Sequence, residues 1–373
     1  MSEWNTCSLG EFVYFQRGHD LPKTQMQVGE VPVAGSNGVI GYHDIATTKG
    51  PGITIGRSGN IGTPKFYKDD FWAHNTVLYV KDFKGNNPLF AYYFLRVIDF
   101  SGFNTGSAVP TLNRNHIHEL EIKIPPLPEQ KAIASVLSSL DDKIDLLHRQ
   151  NKTLEAMAET LFRQWFIEEA KEDWEEKTIG DIFTIKGGGT PSTKEPSYWD
   201  GGIAWTSPRD LSTAKSLYMF STERTITELG LTKVSSGLLP VGTLLMSSRA
   251  PIGYLALTDI EVAVNQGYIA ILKHDLYSNE FMYLWCKANM ELIKNSGNGS
   301  VFQEISKASF RALPFVCPPM KLVQVFHIYC TDWFNKIKLN AKQIQTLEKL
   351  RDTLLPKLMS GEVRVQYQTD EVA

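Results

Sequence analysis

The residues with catalytic potential are few, and each set is incomplete. Asn87-Pro88-Leu89-Phe90 approaches the Asn-Pro-Pro-aromatic pattern that holds an amino group for methyl transfer. It lacks the second proline, and no glycine-rich strand-to-helix turn for a methyl donor precedes it. Glu121-Ile122-Lys123 has a Glu-x-Lys spacing suited to metal-dependent phosphodiester cleavage, but an alternating strand with one solvated face produces the same triplet. Lys186-Gly187-Gly188-Gly189-Thr190-Pro191 lacks the fixed spacing of either phosphate-cradling glycine motif, and a tight turn between strands accounts for it. Of the eight histidines, His116 and His118 lie close in sequence, and alternation would put both on one face of a strand. No cysteine-and-acid set accompanies them, so surface or nucleic-acid contact is their expected role. Cys7, Cys286, Cys317 and Cys330 show neither a C-x-x-C spacing nor a neighbouring histidine pair, so they read as buried free thiols. The sequence therefore leads us to expect no catalytic residue, no metal and no cofactor.

The elements behind these residues repeat once along the chain. Trp4 aligns with Trp174, Leu9 with Ile179, Gly10 with Gly180, Glu11 with Asp181 and Gly18 with Gly188. Further on, Gly106-Ser107 aligns with Gly299-Ser300, Leu120 with Leu313, and Pro125-Pro126 with Pro318-Pro319. The match is weaker between these anchors, where the second copy needs an insertion. There Gly56–Gly62 resembles Ser248–Gly253, and Ala73-His74-Asn75-Thr76 resembles Ala263-Val264-Asn265-Gln266. Runs such as 52–56, 76–80, 242–246 and 268–272 read as strands between turns, whereas 89–98 and 280–289 read as helices. Each copy is thus a mixed α+β module. The prolines at 125, 126 and 128, and at 318 and 319, close a module and open a helix, where proline is tolerated because the first amides have no partner.

The helices that follow carry apolar residues at alternating steps of three and four, the spacing of a coiled-coil seam. The first seam runs through Leu137, Leu140, Ile144, Leu147, Asn151, Leu154, Ala158, Leu161 and Trp165. The second runs through Cys330, Trp333, Ile337, Asn340, Ile344, Leu347, Arg351, Leu354 and Leu358. Two seams of matched length within one chain pack most economically on each other, antiparallel with a module at each end. Two separate bundles or a homodimer remain the alternatives. Asn151 and Asn340 suit a role in fixing register at some expense of stability. A helix of ~40 residues would span ~60 Å, enough to set two modules on successive turns of a duplex. The expected segments are a module at 1–125, a helix at 126–170, a module at 171–318, a helix at 319–361 and a tail at 362–373.

With 373 residues the chain is long enough for two or three cores. Its net charge of −3 argues against a simple electrostatic DNA clamp. Acidic residues cluster at 168–176, however, while 184–217 places more Lys and Arg in loops. No apolar run reaches the ~20 residues of a bilayer span, and the start lacks a basic region followed by an apolar one, so a cytoplasmic location is expected.

Gly188-Gly189-Thr190-Pro191-Ser192, then 198–207 (YWDGGIAWTS), 241–253 (VGTLLMSSRAPIG) and Ala263-Val264-Asn265-Gln266, resemble the target-recognition domain of type I restriction-modification specificity subunits. The Pro-Pro-Leu-Pro-Glu-Gln run at 125–130 resembles the conserved spacer of that family, and the likeness extends over nearly the whole chain. The first module departs from it: Gly35-Ser36-Asn37-Gly38 stands where Trp205-Thr206-Ser207-Pro208 appears, and the Gly-Thr-Pro-Ser turn is missing. Lys321-Leu322-Val323 likewise replaces Glu-Gln-Lys. The resemblance implies two target-recognition domains separated by paired antiparallel coiled-coil helices, a pseudo-twofold internal repeat. It implies a non-catalytic subunit that reads a bipartite double-stranded DNA site, with two methyltransferase subunits and restriction or translocase subunits as partners. Partner subunits would then supply much of the phosphate contact that the net charge denies this chain. The rival readings are a restriction enzyme carrying its own nuclease or methylase chemistry, and an antirestriction protein or interaction scaffold.

Under that implication the candidate readers are side chains that match groove-edge donors and acceptors and lie in glycine-flanked loops. In the first module they are Ser36, Asn37, His43, Arg57, Ser58, Asn60, Asn104, Ser107, Asn113 and Arg114. In the second they are Thr190, Ser192, Thr193, Ser207, Arg209, Ser248, Arg249, Asn298, Ser300 and Gln303. Arg57 and Arg249 occupy matched places, so phosphate contact or support of the fold suits them better than reading different sequences.

Overall fold

The computed structural model describes residues 3–103, 111–299 and 303–366. The chain divides into two compact units, residues 1–145 with 346–373, and residues 146–345.

In the first unit, Asn5–Ser8 pairs antiparallel with Glu121–Ile124 and so closes the module on itself. A four-stranded antiparallel sheet follows in the order Tyr14–Arg17, Val77–Asp82, Gly52–Gly56, Pro64–Tyr67. A smaller sheet has the order Gly38–His43, Val31–Gly35, Trp72–Ala73, its last pair parallel. The second unit repeats this plan. Glu175–Thr178 pairs with Pro314–Cys317, and Ile185–Lys186, Tyr268–Ile271, Leu244–Ser247 and Leu255–Thr258 form the larger sheet. Arg224–Ile226, Trp199–Thr206 and Ala263–Val264 form the smaller one. The insertion lies where the first module turns tightly between Gly35 and Gly38. There the second module inserts the helix Pro208–Ser212 and the strand Tyr218–Met219, which extends its larger sheet.

The matched glycines mark close approaches that leave little or no room for a Cβ. Gly10 meets the His118 side chain and Gly180 that of Arg311, each where two short helices cross. A Cβ on Gly18 would fall 2.1 Å from the carbonyl oxygen of His74, and one on Gly188 would fall 1.7 Å from that of Val264. Both copies cap the first short helix with a capping box, Ser8 with Glu11 and Thr178 with Asp181. The hydrogen bonds to Ser8 and Thr178 hold these two carboxyls below their usual range. Asn87 caps the helix Pro88–Val97, its side chain accepting from the Phe90 amide at 2.9 Å, so Asn87-Pro88 is a helix start.

His116 and His118 lie on the five-residue helix Arg114–His118, not on a strand. The strand expectation failed because so short a helix has no periodicity to detect, although Asn113 supplies the cap. His118 Nε2 accepts from the Phe15 amide at 3.0 Å, which makes it a fold-holding group. Among the cysteines, Cys286 and Cys330 are buried, while Cys7 and Cys317 are half-buried rather than buried as expected. Burial pushes the Cys330 thiol up to about 12.

Two long helices, Leu127–Arg163 and Met320–Ser360, contribute a segment to each unit. Within the first unit they run antiparallel: Glu129 pairs with Arg364 just beyond the second helix, Asp141 pairs with Arg351 at 2.8 Å, and Leu137 shares a core with Leu355 and Leu358. Within the second unit they again run antiparallel, Asn340 Nδ2 donating to Asn151 Oδ1 at 2.9 Å and Phe162 packing on Phe326. Leu137, Ile144, Leu147, Ala158, Cys330, Ile337, Ile344 and Leu358 are buried as the seam requires. Leu140, Leu154, Leu161, Trp165, Trp333, Leu347 and Leu354 are half-buried. Next to the second module, Phe162, Phe166 and Phe334 take the innermost places, because the helices there pack on the module as well as on each other.

In the first unit, the Gln130 amide donates to Asn86 Oδ1 and to the Pro125 carbonyl, and Gln130 Oε1 accepts from the Asn87 amide. The spacer's Gln130 thus fastens helix to module, while Glu129 beside it bonds Arg364. At the corresponding place of the second helix, Leu322 and Val323 join the apolar core instead. Tyr283 and Lys287 there bond Glu155, and Lys338 and Lys342 bond Asp259. Burial alone would raise the Asp259 carboxyl, but the two ammonium groups outweigh it and hold it low.

Candidate nucleic-acid interface

The glycine-rich loop of the second module is held by two tryptophans. Trp199 Nε1 donates to the Ser192 carbonyl at 3.0 Å, and Trp205 Nε1 donates to the Gly189 carbonyl at 3.1 Å. The two indoles pack edge to face with centroids 5.1 Å apart. The Gly189 amide donates to the Val264 carbonyl, and Ser235 Oγ bonds the carbonyls of Gly187 and Gly188. Four carbonyls and one amide of the loop are thus bonded within its own module, and Gly188 serves close backbone approach. It presents Thr190, Ser192 and Thr193 to solvent, and Thr190 Oγ1 donates to Gln266 Oε1 at 2.6 Å.

Nearby, a cleft of about 520 Å³ is lined by Ser248, Gln266, Asn298, Glu304 and Lys307, among others. Asn298 and Gln303 are exposed, and Arg249 is half-buried with NH1 3.6 Å from Glu304. Arg209 stands exposed on the inserted helix. Ser207 caps that helix in a capping box with Asp210, so its side chain is committed to the fold.

In the first module, Asn37 is exposed and Ser36 half-buried in the hairpin turn, and Asn60 is exposed in the loop after Gly52–Gly56. Arg57 NH1 approaches the Asn75 carbonyl at 3.5 Å, and Ser58 bridges Thr111. Asn113 is exposed but caps its helix by accepting from Asn115, and Arg114 is half-buried. Arg57 and Arg249 follow corresponding strands, and each is turned toward its own module.

Two candidates are withdrawn on burial. His43 is 5% exposed, Nδ1 accepting from the Gln27 amide, and Ser248 is 3% exposed, so neither side chain reaches a base edge in a stacked duplex. Glycine flanking signals backbone access, not side-chain exposure, so the sequence pattern does not distinguish these two from exposed readers. Asn104, Ser107 and Ser300 lie outside the described residues. Two further exposed polar groups stand beside the loop: Gln266, at the end of Ala263-Val264-Asn265-Gln266, and Arg224, whose strand position no loop signal in the sequence marks. Among the described residues, no group of three or more His, Cys, Asp or Glu side chains is placed to hold a metal, and no helix is long and apolar enough to cross a membrane.

Residues 1–156 and 171–349 match the family described as type I restriction modification DNA specificity domain. The chain is 34% identical over 194 residues to the MjaIX specificity subunit of a type I restriction enzyme from Methanocaldococcus jannaschii, covering 52% of this chain and 45% of that relative. It is 22% identical over 364 residues to the putative MjaX specificity subunit of the same organism, covering 93% and 81%. The crystal structure of the type I restriction-modification S subunit from M. genitalium superposes with a TM-score of 0.65 at 20% identity, covering 95% of this chain and 96% of that one. This last likeness supports the fold.

Proposed function

The chain belongs to the type I restriction modification DNA specificity domain family, and from that premise we propose that it is the DNA-recognition subunit of a type I restriction-modification complex. Each module reads one half of a bipartite site in double-stranded DNA. The paired helices set the distance between half-sites and dock two methyltransferase subunits, and restriction or translocase subunits join the complete assembly. The chain itself performs no catalysis; methyl transfer and cleavage belong to the partners.

The observation that carries this reading is that one recognition-domain topology occurs once in each unit, and each copy is fastened to a segment of both long helices. The readers proposed for the second half-site are Thr190, Ser192, Thr193, Arg209, Asn298 and Gln303. Those for the first are Ser36, Asn37, Ser58, Asn60, Asn113 and Arg114. Outward-facing apolar groups on the second helix suit a protein partner: Ile328, Tyr329 and Leu339 are 72%, 54% and 62% exposed. A shallow groove beside them, lined by Ala156, Met157, Leu161 and Trp333, offers further apolar surface.

Mapping methylated adenines across the genome of a host expressing the chain with its methyltransferase partner tests the proposal. The expected result is one interrupted, asymmetric motif that disappears without the chain. Methylation that persists without the chain would refute it. So would methylation or cleavage of DNA by the purified chain alone with magnesium and S-adenosylmethionine.

A further inference from the structure

We propose that Arg224 is a guanine reader of the second module, an assignment that rests on the DNA-recognition reading above. Its guanidinium carbon lies 3.4 Å from the centroid of the Trp199 ring and 6.0 Å from that of Trp205. The residue is exposed, and its guanidinium has neither an ion pair nor a hydrogen-bond acceptor among the described residues. Glu223 beside it and Asp200 on the neighbouring strand form no ion pair with it. A planar cation over an indole is held in place at small entropic expense, while its N–H edge stays available. Such an edge matches the paired acceptors O6 and N7 that guanine presents in the major groove.

Position strengthens the assignment. The same two indoles that carry Arg224 also fix the glycine-rich loop through the carbonyls of Gly189 and Ser192. The guanidinium is therefore built into the same rigid platform as the exposed Thr190, Ser192 and Thr193.

The arginine is also particular to this module. Trp205 pairs with Arg224 across the small sheet, whereas Val33 pairs with Gly41. Val33, rather than the Gly35 that sequence alignment matches, is the counterpart of Trp205: the next residues, Ala34 and Thr206, pair with Ala73 and Val264, whose carbonyls accept the amides that follow the matched Gly18 and Gly188. A group that supports the shared fold or contacts phosphate in both modules would recur, as Arg57 and Arg249 do. A group that distinguishes one half-site from the other need not.

The test uses the chain assembled with its methyltransferase partner, with Arg224→Lys and Arg224→Leu compared with the parent. Lysine keeps the charge but loses the planar fork, and leucine keeps apolar cover on the indoles without any donor. Thermal midpoints of the second unit report folding, and unchanged midpoints in at least the lysine variant are expected. Affinity is then measured on duplexes bearing every single-base change in the second half-site. The expected result is a loss of about 10- to 100-fold on the parent site. Discrimination at one G·C pair of that half-site should disappear, with the first half-site read as before.

Equal weakening on all duplexes, with the slope of log affinity against log salt smaller by about one, would assign the arginine to a phosphate and overturn the proposal. Unchanged discrimination, or a second half-site without a G·C pair, would overturn it as well. Failure of the parent complex to prefer any sequence would refute the underlying reading, and is recognisable because the parent fails with the variants.

Discussion

Replacing Arg364 with leucine should destabilise the first unit far more than replacing Arg364 and Glu129 together. Glu129 sits in the first turn of the first long helix with its side chain 1% exposed, and Arg364 lies just past the end of the second. The guanidinium grips the carboxylate at two points, Nε to Oε1 at 2.5 Å and NH2 to Oε2 at 2.8 Å, and lies 5.4 Å from the Trp4 ring centroid. Desolvation of both charges nearly offsets their attraction, so the pair contributes little in net terms. Stripping the buried carboxylate of the cation that faces it costs about 3–5 kcal/mol. At about 2–4 °C per kcal/mol for a unit of this size, the midpoint should fall by roughly 6–20 °C. The Glu129→Leu, Arg364→Leu double variant should recover most of that loss. Glu129→Leu alone should cost less than Arg364→Leu, because the arginine, 26% exposed, can turn to water whereas the carboxylate cannot. Calorimetry of the parent, both single variants and the double variant closes the cycle. A double variant as unstable as Arg364→Leu, or a single loss below about 1 kcal/mol, would show that the buried charge was not what the arginine stabilised.

Two further outcomes follow from the same packing. Burial, and behind it the Arg114 charge, holds the His118 imidazole below its ordinary 6.5. The unfolded chain therefore takes up its proton first, and stability that is complete above about pH 6.5 should decline as pH falls below it. Denaturation of the parent and His118→Gln at pH 7.5 and 5.5 would show this as a steeper loss in the parent, and parallel losses would contradict it. Gly188→Ala should destabilise the second unit by about 1–3 kcal/mol, since the new methyl meets the Val264 carbonyl. Gly202→Ala, with nothing within 4 Å, should stay within about 0.5 kcal/mol in the same denaturant titration.

The repeat and the helix seam were legible in the sequence because both rest on spacing. Trp4 and Trp174 immediately precede corresponding strands, and Leu120 and Leu313 each accept the amide that begins the first short helix of their copy. The seam residues Leu137, Ile144, Leu147 and Ile337 are buried as a three-four pattern demands. Phe162, Phe166 and Phe334 were missed because a heptad template follows one ridge, and near the second module the helices bury two. The site was less legible. Exposure of Asn37, Asn60 and Thr190 follows from their loops, but His43 and Ser248 show that a glycine-flanked polar residue can equally be buried. Arg224 escaped because it lies on a strand, and its significance comes from Trp199 and Trp205, which only folding brings beneath it.

The central claim, that two independent readers share one chain, is tested most directly by exchanging residues 1–125 for the equivalent module of a relative with different specificity. The methylated sites of the host genome are then remapped. One half of the recognised motif should change, with the other half and the gap between them retained. A change in both halves, or in neither, would contradict the account.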